Sequence, residues 1–222
     1  MSEIFIKTLG SEAVLWMWGR VPSIYIGDRS CEIDPFPAYP HDERTFASTL
    51  SLLEAFWPAK FKLLAWLLPY ELRSGTNGHS DRSFPWSPRS EDRQPPTHHI
   101  VAAGKRIPIH PAVTRYLAAH EYGHHVEWWL AEPSEQYPFG GGENDYKVLE
   151  EYAQVRDGKF HRTYGSGGIW HTSLTEIFAC DFRLFAGVEP EFWPHPGIPR
   201  LEECPAAIDW WNRKRDLWLR RA

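Results

Sequence analysis

The stretch from Pro111 to Ala131, PAVTRYLAAHEYGHHVEWWLA, decides how this chain is read. Pro111 stands where a helix can begin, helix formers dominate from Ala112 to Ala131, and Pro133 stops the run. Within it, His120-Glu121-Tyr122-Gly123-His124 sets two histidines four residues apart. On a helix their directions differ by about 40°, so both imidazoles stand on one face, one turn apart. Two imidazoles so placed reach a single Zn²⁺ at about 2.0–2.1 Å each. His125 diverges from His120 by about 140° and is not the second ligand. Glu121 is offset from both and lies beside the cation, where a carboxylate can accept a proton from water. A chain with this many His and Glu produces the pattern by chance about 0.05 times, which makes it informative. The competing reading is a pair of core histidines satisfied by hydrogen bonds.

A catalytic zinc site needs a third protein ligand and an open fourth position. The contiguous extension of the motif fails, because its later positions hold Glu127 and Leu130. The best candidate from elsewhere is Glu176, in Thr175-Glu176-Ile177-Phe178-Ala179-Cys180-Asp181-Phe182, on an amphipathic helix expected from about Ser173 to Ala186. Ser173-Leu174-Thr175-Glu176 also fits a capping box, in which Glu176 would bond back to the Ser173 amide instead.

Outward from these motifs, 222 residues fit one domain built as two lobes, about 1–131 and 132–222. Short β-rich pieces are expected at Ile4–Thr8 and Ser23–Ile26, and helix from Asp42 to Leu68 divided at Pro58. The polar segment from Arg73 to Thr97 reads as a loop or lobe boundary. Ile100 to Ile109 reads as a strand or hairpin turning at Gly104-Lys105, with Pro108 demoting its end to an edge strand. Further helices are expected at about Asn144–Asp157 and Pro205–Leu219. The fold class is therefore α+β: a small sheet packed on the His120 helix, and a mainly helical second half that supplies Glu176.

Composition narrows the function. With 24 basic against 29 acidic residues the net charge is −5, which disfavours a nucleic-acid partner. No window approaches the roughly 18 apolar residues of a membrane helix, and no secretory signal is visible, so a cytoplasmic location is expected. Cys31, Cys180 and Cys204 are widely spaced without a CxxC pair, which argues against a disulfide framework or a four-cysteine zinc site. Twelve tryptophans indicate thick packing or an aromatic groove. Trp128, Trp129 and Trp170 are candidates to line side-chain pockets, with core packing the simpler use.

HEYGH followed about fifty residues later by EIFACDF resembles the gluzincin class of zinc metallopeptidases. The E-x-x-A-x-x-F form is similar to the catalytic domain of anthrax lethal factor and its bacterial relatives. The resemblance spans roughly Thr97 to Gly187. It implies a zincin-like fold with a small antiparallel or mixed sheet, one catalytic Zn²⁺ on His120, His124 and Glu176, Glu121 as general base, and a protein or peptide substrate. Two departures stand out. Such families often carry an acid one turn after the ligand glutamate, where this chain has Cys180, with Asp181 one residue late. They also often carry a tyrosine about two turns before the glutamate; here the segment offers His171 and Tyr164 as transition-state donors. An aspartate-type zincin would use Asp157 or another acid instead, and Thr163-Tyr164-Gly165 faintly resembles that family's motif without its intervening Asp.

The expected chemistry is peptide-bond hydrolysis, with Glu121 taking the proton of a zinc-acidified water and returning it to the leaving amine. The strand expected around Ile100 to Ile109 could pair with an extended peptide. The alternatives are a zinc-stapled binding module that cuts nothing, and a metal-free interaction protein using its tryptophans.

Overall fold

The computed structural model describes residues 4–8, 16–18, 21–26, 29–73, 75–83, 95–131, 143–158 and 170–220. Eight strands come first: β1 (Ile4–Thr8), β2 (Trp16–Trp18), β3 (Val21–Ile26), β4 (Arg29–Pro37), β5 (Leu63–Leu67), β6 (Tyr70–Leu72), β7 (Gly78–Ser83) and β8 (Thr97–Ala102). Helix α1 (Glu43–Phe56) separates β4 from β5, and α2 (Pro111–Leu130), α3 (Glu143–Val155), α4 (Leu174–Phe185) and α5 (Pro205–Leu219) follow β8. The class is α+β. The chain divides into two compact units, Met1–Leu52 with Phe61–Glu121 and Leu53–Lys60 with Tyr122–Ala222, so both α1 and α2 run through the division.

The first unit holds two four-stranded sheets, ordered β1-β5-β8-β7 and β2-β3-β4-β6. In the former, β1, β5 and β8 are parallel and β7 closes the end antiparallel to β8. Leu63, Ala65 and Leu67 are buried and pair with His98, Ile100 and Ala102, which pair in turn with Arg82, Ser80 and Gly78. Directly paired residues share a face, so these rows form one side of the sheet. Val101 lies on the opposite side, where it packs with Ile33, Leu68, Tyr70 and Leu72.

Three expectations are corrected here. The helix expected to continue past Pro58 gives way to β5, whose buried residues alternate at Leu63, Ala65 and Leu67; period two, not 3.6, buries them. The segment from Arg73 to Thr97 is not loop throughout, since β7 lies inside it. Gly-His-Ser-Asp-Arg-Ser has little strand propensity, and its ladder with β8 supplies what propensity does not. Finally β8 ends at Ala102, well before Pro108, and lies between β5 and β7, so it is an inner strand, with β1 and β7 at the two ends of the sheet.

Helix α1 starts on Asp42, whose Oδ2 accepts the Thr45 amide at 2.7 Å. The Thr45 hydroxyl, and after it this amide, hold the Asp42 carboxyl below its ordinary range.

The second unit is built on aromatic packing. Trp57, Tyr122, Trp129, Tyr152, Phe178, Phe182, Trp210 and Trp211 are all buried. Trp211 meets Trp57 edge-on at 5.9 Å between centroids and tilts over Phe178 at 4.7 Å. The Tyr122 hydroxyl lies 2.7 Å from the Trp57 carbonyl, to which it donates. The excess of tryptophan thus serves packing at these positions. Trp170 is 40% exposed. Between α3 and α4 the fully buried Asp181 accepts the Tyr152 hydroxyl at 2.7 Å and Arg156 Nε at 2.6 Å. Burial pushes its carboxyl upward, against the pull of the Arg156 guanidinium and the Tyr152 hydroxyl. Among the described residues no helix is long and apolar enough to cross a membrane.

Candidate metal centre

Helix α2 is buried all round its middle, without a break from Leu117 to Glu127. His120 (4% exposed), Glu121 (5%) and His124 (9%) therefore sit in a desolvated stretch rather than on a solvent face. The Tyr116 ring stacks on His120 at 5.7 Å and 16°. The helix itself fixes His120 against His124, one turn apart.

Glu176 reaches His124 because α4 comes unusually close to α2. A Cβ at Gly123 would lie 2.8 Å from the Ala179 Cα and 2.9 Å from its carbonyl oxygen, so only glycine fits this crossing. Ala179 stands one turn after Glu176 and Gly123 next to His124, and their contact seats the carboxylate beside the imidazole. His124 Nε2 lies 3.7 Å from Glu176 Oε2. One donor atom from each of His120, His124 and Glu176 lies within 4.8 Å of the other two. Two ligands at tetrahedral angles around Zn²⁺ are about 3.4 Å apart, so the His124–Glu176 pair is close to that spacing and the whole set closes with small side-chain motion. Two imidazole nitrogens and one carboxylate oxygen are also the donor types that a catalytic zinc takes. The residues fit the ion.

The capping box considered for Glu176 is not formed: Ser173 makes no side-chain cap bond, and its amide donates to the Trp170 carbonyl oxygen at 3.2 Å. Asp157 stands exposed beyond α3, outside the cluster. Asp181 is committed to Arg156 and Tyr152 and is not an orienting partner for the histidines. Cys180 is a fully buried thiol on α4, in no disulfide. His171 sits in the 3-10 turn Trp170–Thr172 just before α4. It is exposed, and its Nδ1 lies 2.9 Å from the Pro194 carbonyl oxygen, to which it donates. Tyr164, with the Thr163-Tyr164-Gly165 motif, lies outside the described residues.

Residues of β7 complete the surroundings of Glu121, and sequence reasoning passed over them. The Ser80 hydroxyl lies 2.6 Å from Glu121 Oε2 and 3.0 Å from the Glu121 carbonyl oxygen. At Gly78 a Cβ would stand 2.6 Å from Glu121 Oε1, so the bare strand backbone leaves room for the carboxylate. Nothing in a polar stretch that resembles a linker signals such a role; only the register of β7 reveals it.

Comparison with protein-family models, with curated proteins and with solved structures finds no match to this chain.

Proposed function

We propose that this chain is a zinc-dependent endopeptidase of the gluzincin type, with a zincin-like fold. The observation that carries the reading is the convergence of His120, His124 and Glu176 from two helices. These three residues would hold the ion. Zinc, when bound, supplies Lewis acidity, making water acidic near pH 7 and drawing charge toward a substrate carbonyl oxygen. Glu121 takes the proton of the attacking water and delivers it to the leaving amine. Its burial keeps that proton from being lost to bulk solvent. An extended peptide is oriented by main-chain hydrogen bonds to β7, a terminal strand of its sheet and the one that carries residues touching Glu121. His171, with Nδ1–H given to Pro194, can donate to a developing oxyanion only as the doubly protonated ring. Tyr164 is the other donor this reading considers. Buried thiols outside any disulfide at Cys180 and Cys204 suit a reducing, cytoplasmic setting.

The test begins with metal analysis of protein purified without added zinc, where one zinc per chain is expected. Glu121→Gln should keep that zinc and slow hydrolysis of labelled casein by about 10²–10⁴-fold. Undiminished hydrolysis would exclude Glu121 as the base. A zinc-loaded wild-type protein that cuts nothing would make the site a staple in a binding module.

A further inference from the structure

We infer that Ser80 is the positioning residue for the Glu121 carboxylate, holding Oε2 so that Oε1 exchanges the proton. The inference rests on the reading of Glu121 as the general base and deepens it. A serine hydroxyl has one hydrogen to give, and two acceptors of Glu121 compete for it. The 2.6 Å separation from Oε2 lies in the range of a hydroxyl bonded to a carboxylate, whereas 3.0 Å to the carbonyl oxygen is long for O–H···O. The hydrogen therefore goes to Oε2. Oε1 lies against Gly78 beside the Leu117 Cδ1 methyl, in space that a Cβ on the strand would fill.

The backbone makes this seat exact to one register. Gly78 and Ser80 are two residues apart on β7, so both face α2, while His79 and Asp81 face away. A slip of one residue would present His79 to the carboxylate instead. Glu121 is 5% exposed, so little water is at hand to replace a lost donor. A free carboxylate also turns about its terminal torsion, which is broad and two-fold. The Ser80 bond removes that freedom and distinguishes the two oxygens. When Oε1 carries the proton, the bond to Oε2 persists, so one seat serves both halves of the proton transfer.

The experiment uses the full chain and a fluorogenic peptide copied from a casein site that the wild-type protein cuts. Ser80→Ala should leave zinc stoichiometry and KM unchanged and lower kcat about 10- to 100-fold, the range for losing a hydrogen bond to a charged group. Ser80→Thr, which keeps the hydroxyl, should restore kcat, and Ser80→Cys, nearly the same size with a weak donor, should not. In a Glu121→Gln background, Ser80→Ala should change the residual rate by less than about twofold, since the two act as a unit. Crystal structures of metal-free wild type and Ser80→Ala supply a readout independent of activity: the Glu121 carboxylate should leave its place against β7 in the variant. An unchanged kcat in Ser80→Ala, or a carboxylate that stays in place, overturns the inference. If wild type holds zinc yet cuts no peptide, the proposed function has failed instead, and the crystallographic comparison alone decides Ser80.

Discussion

At Gly123 a hydrogen atom stands where any other residue would carry a carbon, and the spacing of α2 from α4 depends on it. A Cβ there meets main-chain atoms of Ala179, not the yielding end of a side chain, so the helix must move. Gly123→Ala should weaken zinc binding about tenfold or more and lower stability by about 1–3 kcal/mol, the cost of overpacking a buried contact. Chelator competition and urea unfolding measure the two effects.

The elements show two kinds of buried polarity. Between α3 and α4, Asp181 and Arg156 are wholly enclosed, with Tyr152 completing the network. Asp181→Asn would leave a guanidinium buried without its counter-charge, and should cost about 3–5 kcal/mol in urea unfolding while leaving the zinc ligands unaltered. Before α1, His41 is buried with Nδ1 2.9 Å from the Thr114 hydroxyl on α2. Burial lowers its pKa from 6.5 to about 4, and the charge of Lys105 adds to the effect. The unfolded chain therefore takes up this proton first as the pH falls. The stability His41 confers is complete above about pH 6.5 and is lost as the pH drops toward 4, a change of about 3 kcal/mol. Unfolding at pH 7.5 and 4.5 checks this: His41→Gln should show a pH dependence smaller by about that amount.

Across the whole molecule, the helices were legible and half the sheet was not. Proline and glycine punctuation located α2 through α5 to within about two residues, although α2, buried all round its middle, has almost no amphipathic pattern to read. β5 was hidden because a five-residue apolar run reads equally as buried helix. β7 was hidden because its residues are polar and only pairing makes them a strand. The site divides the same way. A histidine pair four residues apart needs nothing but helical geometry, whereas Glu176 required the Gly123–Ala179 crossing, and Ser80 required a sheet register that no local pattern encodes. Among the described residues, the tryptophans almost wholly out of solvent, Trp57, Trp129, Trp210 and Trp211, all belong to the second unit. Intrinsic fluorescence is therefore a reporter weighted toward that half of the chain, while far-ultraviolet dichroism also registers the strands of the other, and a gap between the two denaturation curves would reveal that the halves melt separately.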